Sequence, residues 1–149
     1  MALTHVGPAG EAKMVDVGAK PVSRRTARAA GRVRMRPETV ALIKANQIRK
    51  GDVLAAARIA AIAGAKRTAE LIPLCHNIPI DVVEVELALE PDGVRIEARA
   101  ACQARTGIEM EALTAIAVAA LTIYDMCKAV DKGIVIEEIR LLEKTKDAI

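Results

Sequence analysis

A chain of 149 residues, with 22 Lys and Arg against 19 Asp and Glu and 52% hydrophobic residues, can hold one domain with a full core and no more. Tyr124 stands alone among the aromatics, with no Phe and no Trp, so the core is packed from Ala, Val, Ile and Leu. No purine can be sandwiched between protein aromatics, and such a base falls to hydrogen bonds or an arginine plane. The net charge of +3 is too small to name a partner.

Residues 1–20 are irregular, with Gly7, Pro8, Gly10 and Gly18 before Pro21, and read as an N-terminal arm. They lack the apolar core of a secretory signal. From 22 to 36 the chain alternates. Ala27, Ala29, Gly31, Val33 and Met35 share one side, and Arg24, Thr26, Arg28, Arg32, Arg34 and Arg36 the other, the pattern of a half-buried strand. Arg25 falls on the apolar side, so either the strand has not begun there or the residue turns toward a site. These arginines, with Arg49, Lys50, Lys66 and Arg67 beyond them, would suit a polyanionic ligand.

Pro37 opens a helix to about Gln47, and Gly51-Asp52 caps a second from Val53 to Leu71, ended by Pro73. Asp81–Leu89 alternates, Pro91-Asp92-Gly93 turns, and Val94–Cys102 returns as the other half of a hairpin. A long helical pattern follows Thr106-Gly107, and Ile134–Leu142 reads as the last strand. The order β, α in two pieces, β, β, α, β predicts a single α+β domain of residues 1–149. The arrangement is the ferredoxin-like split βαβ, an antiparallel sheet with helices on one face.

Thr106–Gly133 carries charges at both ends of an almost wholly aliphatic middle. Read as one helix, it puts Asp125, Lys128 and Lys132 on one face and Glu109 and Glu111 in the first turn. At 1.5 Å per residue, Glu111 and Asp125 are roughly 21 Å apart along the axis. One compact site in one subunit cannot readily use both. Asp125 and Lys128 can divide acid and base duties where burial and mutual charge shift their pKa values, or be an ordinary surface pair. Glu109 and Glu111 can be read as a site, or as acids favoured by the helix dipole alone.

His76, in the loop LIPLCHNIP, suits a proton carrier or phosphate donor, with backbone bonding as the plainer alternative. Cys75 beside it reads as packing rather than nucleophile. Cys75, Cys102 and Cys127 are odd in number with no CxxC, which supports neither a disulfide framework nor a zinc site and suggests a reducing cytoplasm. The apolar run Ala112–Tyr124 is too short to span a bilayer. Walker A, GxGxxG, HExxH and GxSxG are all missing. Catalysis is therefore expected to be acid/base work without cofactor or metal.

The segments MVDVGAKP (14–21), KGDVLAAARIA (50–60), AKRTAELIPLCH (65–76), TGIEMEALTAIAVAALTIYDMCKAVDKG (106–133) and IRLLEK (139–144) closely resemble the molybdenum cofactor biosynthesis protein C family. The resemblance covers nearly the whole chain. It implies conversion of cyclised dihydro-GTP into cyclic pyranopterin monophosphate with release of pyrophosphate, by a hexamer built as a trimer of dimers with its site at a subunit interface. By the same matching, Asp125 is the acid/base and Lys128 and Lys50 the essential lysines. Leu74, Cys75, His76, Glu109, Met110 and Glu111 contact substrate, and Arg25 and Lys66 add cations suited to a triphosphate. Asn77, Arg105 and a tail without Gly-Gly-Lys-Ser-Gly depart from the family pattern, and none removes a catalytic group. Two rivals remain: an RNA-binding sheet, for which the chain has no aromatics to expose, and a non-catalytic sensor of the same architecture. Neither nucleic acid nor membrane is expected as a partner.

Overall fold

The computed structural model describes residues 7–149. Its elements are β1 (Ser23–Arg34), α1 (Pro37–Lys44), α2 (Val53–Lys66), α3 (Thr68–Leu71), β2 (Ile80–Glu90), β3 (Gly93–Ala104), α4 (Glu109–Cys127) and β4 (Val135–Ala148). The strands form one sheet in the order β2-β3-β1-β4, every neighbouring pair antiparallel. β1 and β2 are thus parallel with β3 between them, and β3 and β4 parallel with β1 between them. This is the ferredoxin-like arrangement expected from the order of elements.

The alternation of β1 decides which face is covered. Ala27, Ala29, Val33 and Met35 are buried with the aliphatic faces of α2 and α4, whereas Arg28, Arg32 and Arg34 remain on the open face. Small residues let the layers close. Ala57, Ala61, Gly64 and Ala65 of α2 and Ala112, Ala115, Ala119 and Ala120 of α4 are all buried. A Cβ at Gly31 would meet Ile116 at 2.5 Å, and one at Gly64 would meet Val118 at 2.8 Å. In a core without Phe or Trp, close backbone approach replaces bulk.

On the open face the arginines are already spoken for. Arg28 reaches Glu97 at 3.0 Å and Glu143 at 3.4 Å, Arg32 reaches Glu90 at 2.8 Å, Glu137 at 3.1 Å and also Asp92, and Arg34 reaches Glu137 at 3.2 Å. Carboxylates from β2, β3, β4 and the β2–β3 turn neutralise the row, which corrects the expectation that these arginines await a polyanion. The exposed pairs of Arg28 and Arg34 contribute about 0–1 kcal/mol each.

Of the boundaries that differ from the expected ones, three have a visible cause. The second helix breaks at Arg67, where the Thr68 hydroxyl donates back to the carbonyls of Ala65 at 2.9 Å and Gly64 at 3.3 Å. β4 continues past Leu142 to Ala148, because β1 supplies ladder partners as far as Ser23. α4 ends at Cys127, so Lys132 lies beyond the helix and does not share a helical face with Asp125 and Lys128. The cause is tertiary: the buried Asp131 carboxylate accepts from Arg36 N at 3.0 Å, Thr39 Oγ1 at 2.8 Å and Gly133 N at 3.0 Å. Among the described residues, α4 is the one helix long and apolar enough to cross a membrane by length and composition, and 56% of that stretch is buried as the core helix.

Candidate functional site at the two ends of one helix

Asp52 caps α2 by accepting from Ala55 N at 3.0 Å. Gly51, at φ +109°, makes the left-handed turn before it that few other residues adopt. That turn delivers Lys50 to the C-terminal end of α4, against which α2 runs in the opposite sense. Lys50 Nζ donates to Asp125 Oδ2 at 2.8 Å and to the Asp125 carbonyl at 3.2 Å, while Lys128 Nζ lies 3.1 Å from Oδ1. Hydrogen bonds from Lys50 and then Lys128 hold the Asp125 carboxyl below the usual carboxylate range. All three side chains are half exposed, at 50–56%. The i, i+3 pair visible in sequence is thus a triplet, with Lys50 the tighter partner.

The N-terminal end has the opposite character. Glu111 is 3% exposed, and Oε1 has no hydrogen-bond partner among the described residues. Burial pushes its carboxyl up to about 7, against a bond from its own backbone and with Glu109 adding to the rise. Glu109 folds back over Gly107, where any Cβ would collide with its carboxylate, and its Oε2 is also unpartnered. Arg25, on the helix side of β1 opposite Cys102, leaves Nε unpartnered among the described residues and donates from Nη2 to the Arg105 carbonyl at 3.4 Å. Burial, then the charge of Glu111, raises the thiols of Cys75 and Cys102, the latter to about 11. Both sulfurs stay protonated near neutrality, which gives no support to a thiolate nucleophile.

Around this end, His76 donates from Nε2 to the Val15 carbonyl at 2.6 Å, tying its loop to the N-terminal arm. Leu74 is exposed and Met110 half-buried. Lys66 stands apart in a hollow with Ile62, Ile78 and Ile80. The structure therefore gathers Lys50, Asp125 and Lys128 at one end and Arg25, Cys75, Glu109 and Glu111 at the other, and does not gather Arg25, Lys50, Lys66 and His76 into one phosphate cradle within a subunit.

The MoaC family model matches residues 14–147. The chain belongs to the MoaC family. Its relatives include proteins named cyclic pyranopterin monophosphate synthase from Chloroflexus aurantiacus, 58% identical over 95% of this chain and 88% of theirs, and from Thermomicrobium roseum, 56% identical over 95% and 87%. A third, from Peptoclostridium acidaminophilum, is 52% identical over 97% and 92%.

The MoaC match takes in both ends of α4 and every segment that supplies them. Sequence reasoning passed over Asp131, whose latch onto Arg36 and Thr39 fixes where the C-terminal end of the helix stops. An Asp-Lys-Gly turn just past a helix is the local signal for it. Among the described residues no group of three or more His, Cys, Asp or Glu is placed to hold a metal ion. Chemically, the C-terminal triplet offers an ionised carboxylate with an ammonium on each oxygen. Displacement of either lysine by a substrate oxygen frees a base and leaves a proton donor beside it. The N-terminal pair offers acceptors that lack donors.

Proposed function

We propose that this chain is a cyclic pyranopterin monophosphate synthase, a lyase of molybdenum cofactor biosynthesis. It takes cyclised dihydro-GTP to cyclic pyranopterin monophosphate and pyrophosphate. The observation that carries the reading is the Lys50–Asp125–Lys128 triplet, with both carboxylate oxygens held at 2.8 and 3.1 Å. Asp125 and Lys128 shuttle protons while the purine-derived ring opens and the pterin is rebuilt. Lys50, Lys66, Arg25 and His76 hold the triphosphate and help the pyrophosphate leave. The unpartnered oxygens of Glu109 and Glu111 accept the N–H groups of the aminopyrimidinone, beside Met110, Leu74 and Cys75.

The two ends of α4 serve one site when different subunits contribute them. Exposed Ile59 at 66%, Leu121 at 60% and Tyr124 at 37% give the helical layer an apolar surface suited to burial against a second copy. We take the assembly to be a hexamer, a trimer of dimers, in which the whole chain acts as one domain. Three free thiols suit a reducing cytoplasm.

The test is incubation of the protein and its Asp125→Asn variant with enzymatically generated cyclised dihydro-GTP, quantifying cyclic pyranopterin monophosphate and pyrophosphate together. Both products are expected from wild type and only traces from the variant. Substrate binding without product in wild type would establish the sensor reading instead.

A further inference from the structure

Asp131 carries a buried charge that the reaction as proposed does not use. Its side chain is 1% exposed and takes donors from two directions. Oδ2 accepts from Arg36 N at 3.0 Å and Thr39 Oγ1 at 2.8 Å at the start of α1, with Arg36 Nε 3.7 Å away, and Oδ1 accepts from Gly133 N at 3.0 Å in its own turn. Arg36 also donates from Nη2 to the Val130 carbonyl. A carboxylate is costly to bury, and replacing a buried charge cluster by apolar groups of matching shape is often neutral for stability. What a fully satisfied buried network adds is one fixed arrangement of the segments it joins.

Both segments joined here carry a lysine of the triplet. On the α4 side, Lys128 N donates to the Tyr124 carbonyl at 2.9 Å, and Val130 N and Asp131 N both return to the Cys127 carbonyl, at 3.1 and 3.2 Å. Lys128 therefore sits just before Asp131 in a turn closed by hydrogen bonds. On the α1 side, Asn46 N bonds the Ile43 carbonyl at 3.0 Å, Gln47 N the Leu42 carbonyl at 2.9 Å and Gly51 N the Ile48 carbonyl at 3.0 Å, and Ile48 is buried. The chain from α1 to Lys50 is thus a run of bonded turns rather than a slack loop. The side chains of Lys50, Asp125 and Lys128 are half exposed, and long side chains in water lose entropy to hold one geometry. Their spacing falls to the backbones that carry them.

We propose that Asp131 is a positioning residue: its clamp between the turn after α4 and the start of α1 sets Lys50 and Lys128 at the distance from which both reach Asp125. It acts through the two backbones and not on the substrate. What the clamp does for turnover rests on the synthase reading, and what it does for the lysine spacing rests on the geometry alone.

The test compares Asp131→Asn, Thr39→Val and Thr39→Ser with Ile96→Val, which thins the buried core in β3 and lowers stability away from the clamp. An amide accepts only through its one oxygen, so Asp131→Asn gives up either the Gly133 bond or the pair at α1. Thr39→Val removes one donor and Thr39→Ser restores it. Each protein is assayed at a temperature where circular dichroism shows it fully folded. Asp131→Asn is expected to lose about 10- to 100-fold in kcat with KM for cyclised dihydro-GTP within about twofold, the mark of misplaced reacting groups. Thr39→Val should lose less, Thr39→Ser should recover, and Ile96→Val should melt lower with kcat unchanged. Competitive acetylation of the lysines, read by mass spectrometry, gives a readout free of turnover. An amine held on a carboxylate stays protonated and reacts slowly, so Lys50 and Lys128 should label about threefold or more faster in Asp131→Asn, while exposed Lys13 does not change. Wild-type kcat in folded Asp131→Asn, a kcat loss of the same size in Ile96→Val, or unchanged labelling of Lys50 and Lys128 would each overturn the clamp. Should wild type form no cyclic pyranopterin monophosphate while the labelling still rises in Asp131→Asn, the synthase reading fails and the clamp stands.

Discussion

The two ends of α4 carry the same kind of group and treat it in opposite ways. At the C-terminal end Asp125 is exposed, and the bonds from Lys50 and Lys128 keep it ionised. At the N-terminal end Glu111 is buried with Oε1 unpartnered among the described residues, and burial brings its protonation close to neutrality. Environment, not residue type, sorts a standing carboxylate from one that can arrive neutral. A helix fixed at both ends by packing can hold two such environments about 21 Å apart on its axis, and the proposed mechanism draws on both.

Breaking the ionised end should have the largest effect. Asp125→Asn keeps shape and removes the base, so kcat should fall about 10³-fold while substrate still binds, measured by single-turnover product formation alongside equilibrium binding. Turnover within about tenfold of wild type would remove Asp125 from the mechanism.

Neutralising the buried end separates the two environments by pH. The folded Glu111 carboxyl titrates at about 7 against an ordinary 4.5, so between those values the native state binds more protons than the unfolded chain. Stability therefore falls as pH rises from 4.5 to 7 and is flat above, by up to about 3 kcal/mol. Glu111→Gln should melt higher than wild type at pH 8 and no higher at pH 4.5. A parallel fall with pH in wild type and variant would show that Glu111 is not the group responsible.

Disturbing the packing between the ends should cost less. Gly31→Val pushes into Ile116, where even a Cβ finds only 2.5 Å, and overpacking of this kind costs about 1–3 kcal/mol. A lower thermal midpoint is expected, and an unchanged one would mean that α4 seats less tightly than described. The smallest effect belongs to the open face. Arg28→Gln gives up exposed pairs with Glu97 and Glu143, worth under about 1 kcal/mol, and should leave kcat and KM unaltered.

Much of this was legible in the sequence, and what was not has a common cause. The arginine and alanine alternation of β1 predicted its two faces, Gly51-Asp52 predicted the cap of α2, and the order of elements predicted the sheet. Those signals are local. Lys132 was misplaced because the partners that end α4, Arg36 and Thr39, lie more than ninety residues away from Asp131. The arginines of β1 looked free because their carboxylates come from β2, β3, β4 and the β2–β3 turn. Arg25 alone broke the pattern, and it lies on the helix side of the sheet with Nε unpartnered among the described residues. The carboxylates of Glu109 and Glu111 could be placed in a first turn, but whether that turn is wet or dry depends on Cys75, Cys102 and the chain packed over them.

The central claim is that the two ends of α4 meet in one site drawn from two subunits, and subunit mixing tests it most directly. Asp125→Asn and Glu111→Gln subunits, each expected to be nearly inactive alone because each spoils one end of the shared site, are unfolded together, refolded and assayed for cyclic pyranopterin monophosphate. Half of randomly formed dimers are hybrids, and one of the two sites in each hybrid has both ends intact, so about a quarter of wild-type activity should return. Activity no higher than the average of the two variants would contradict a shared site.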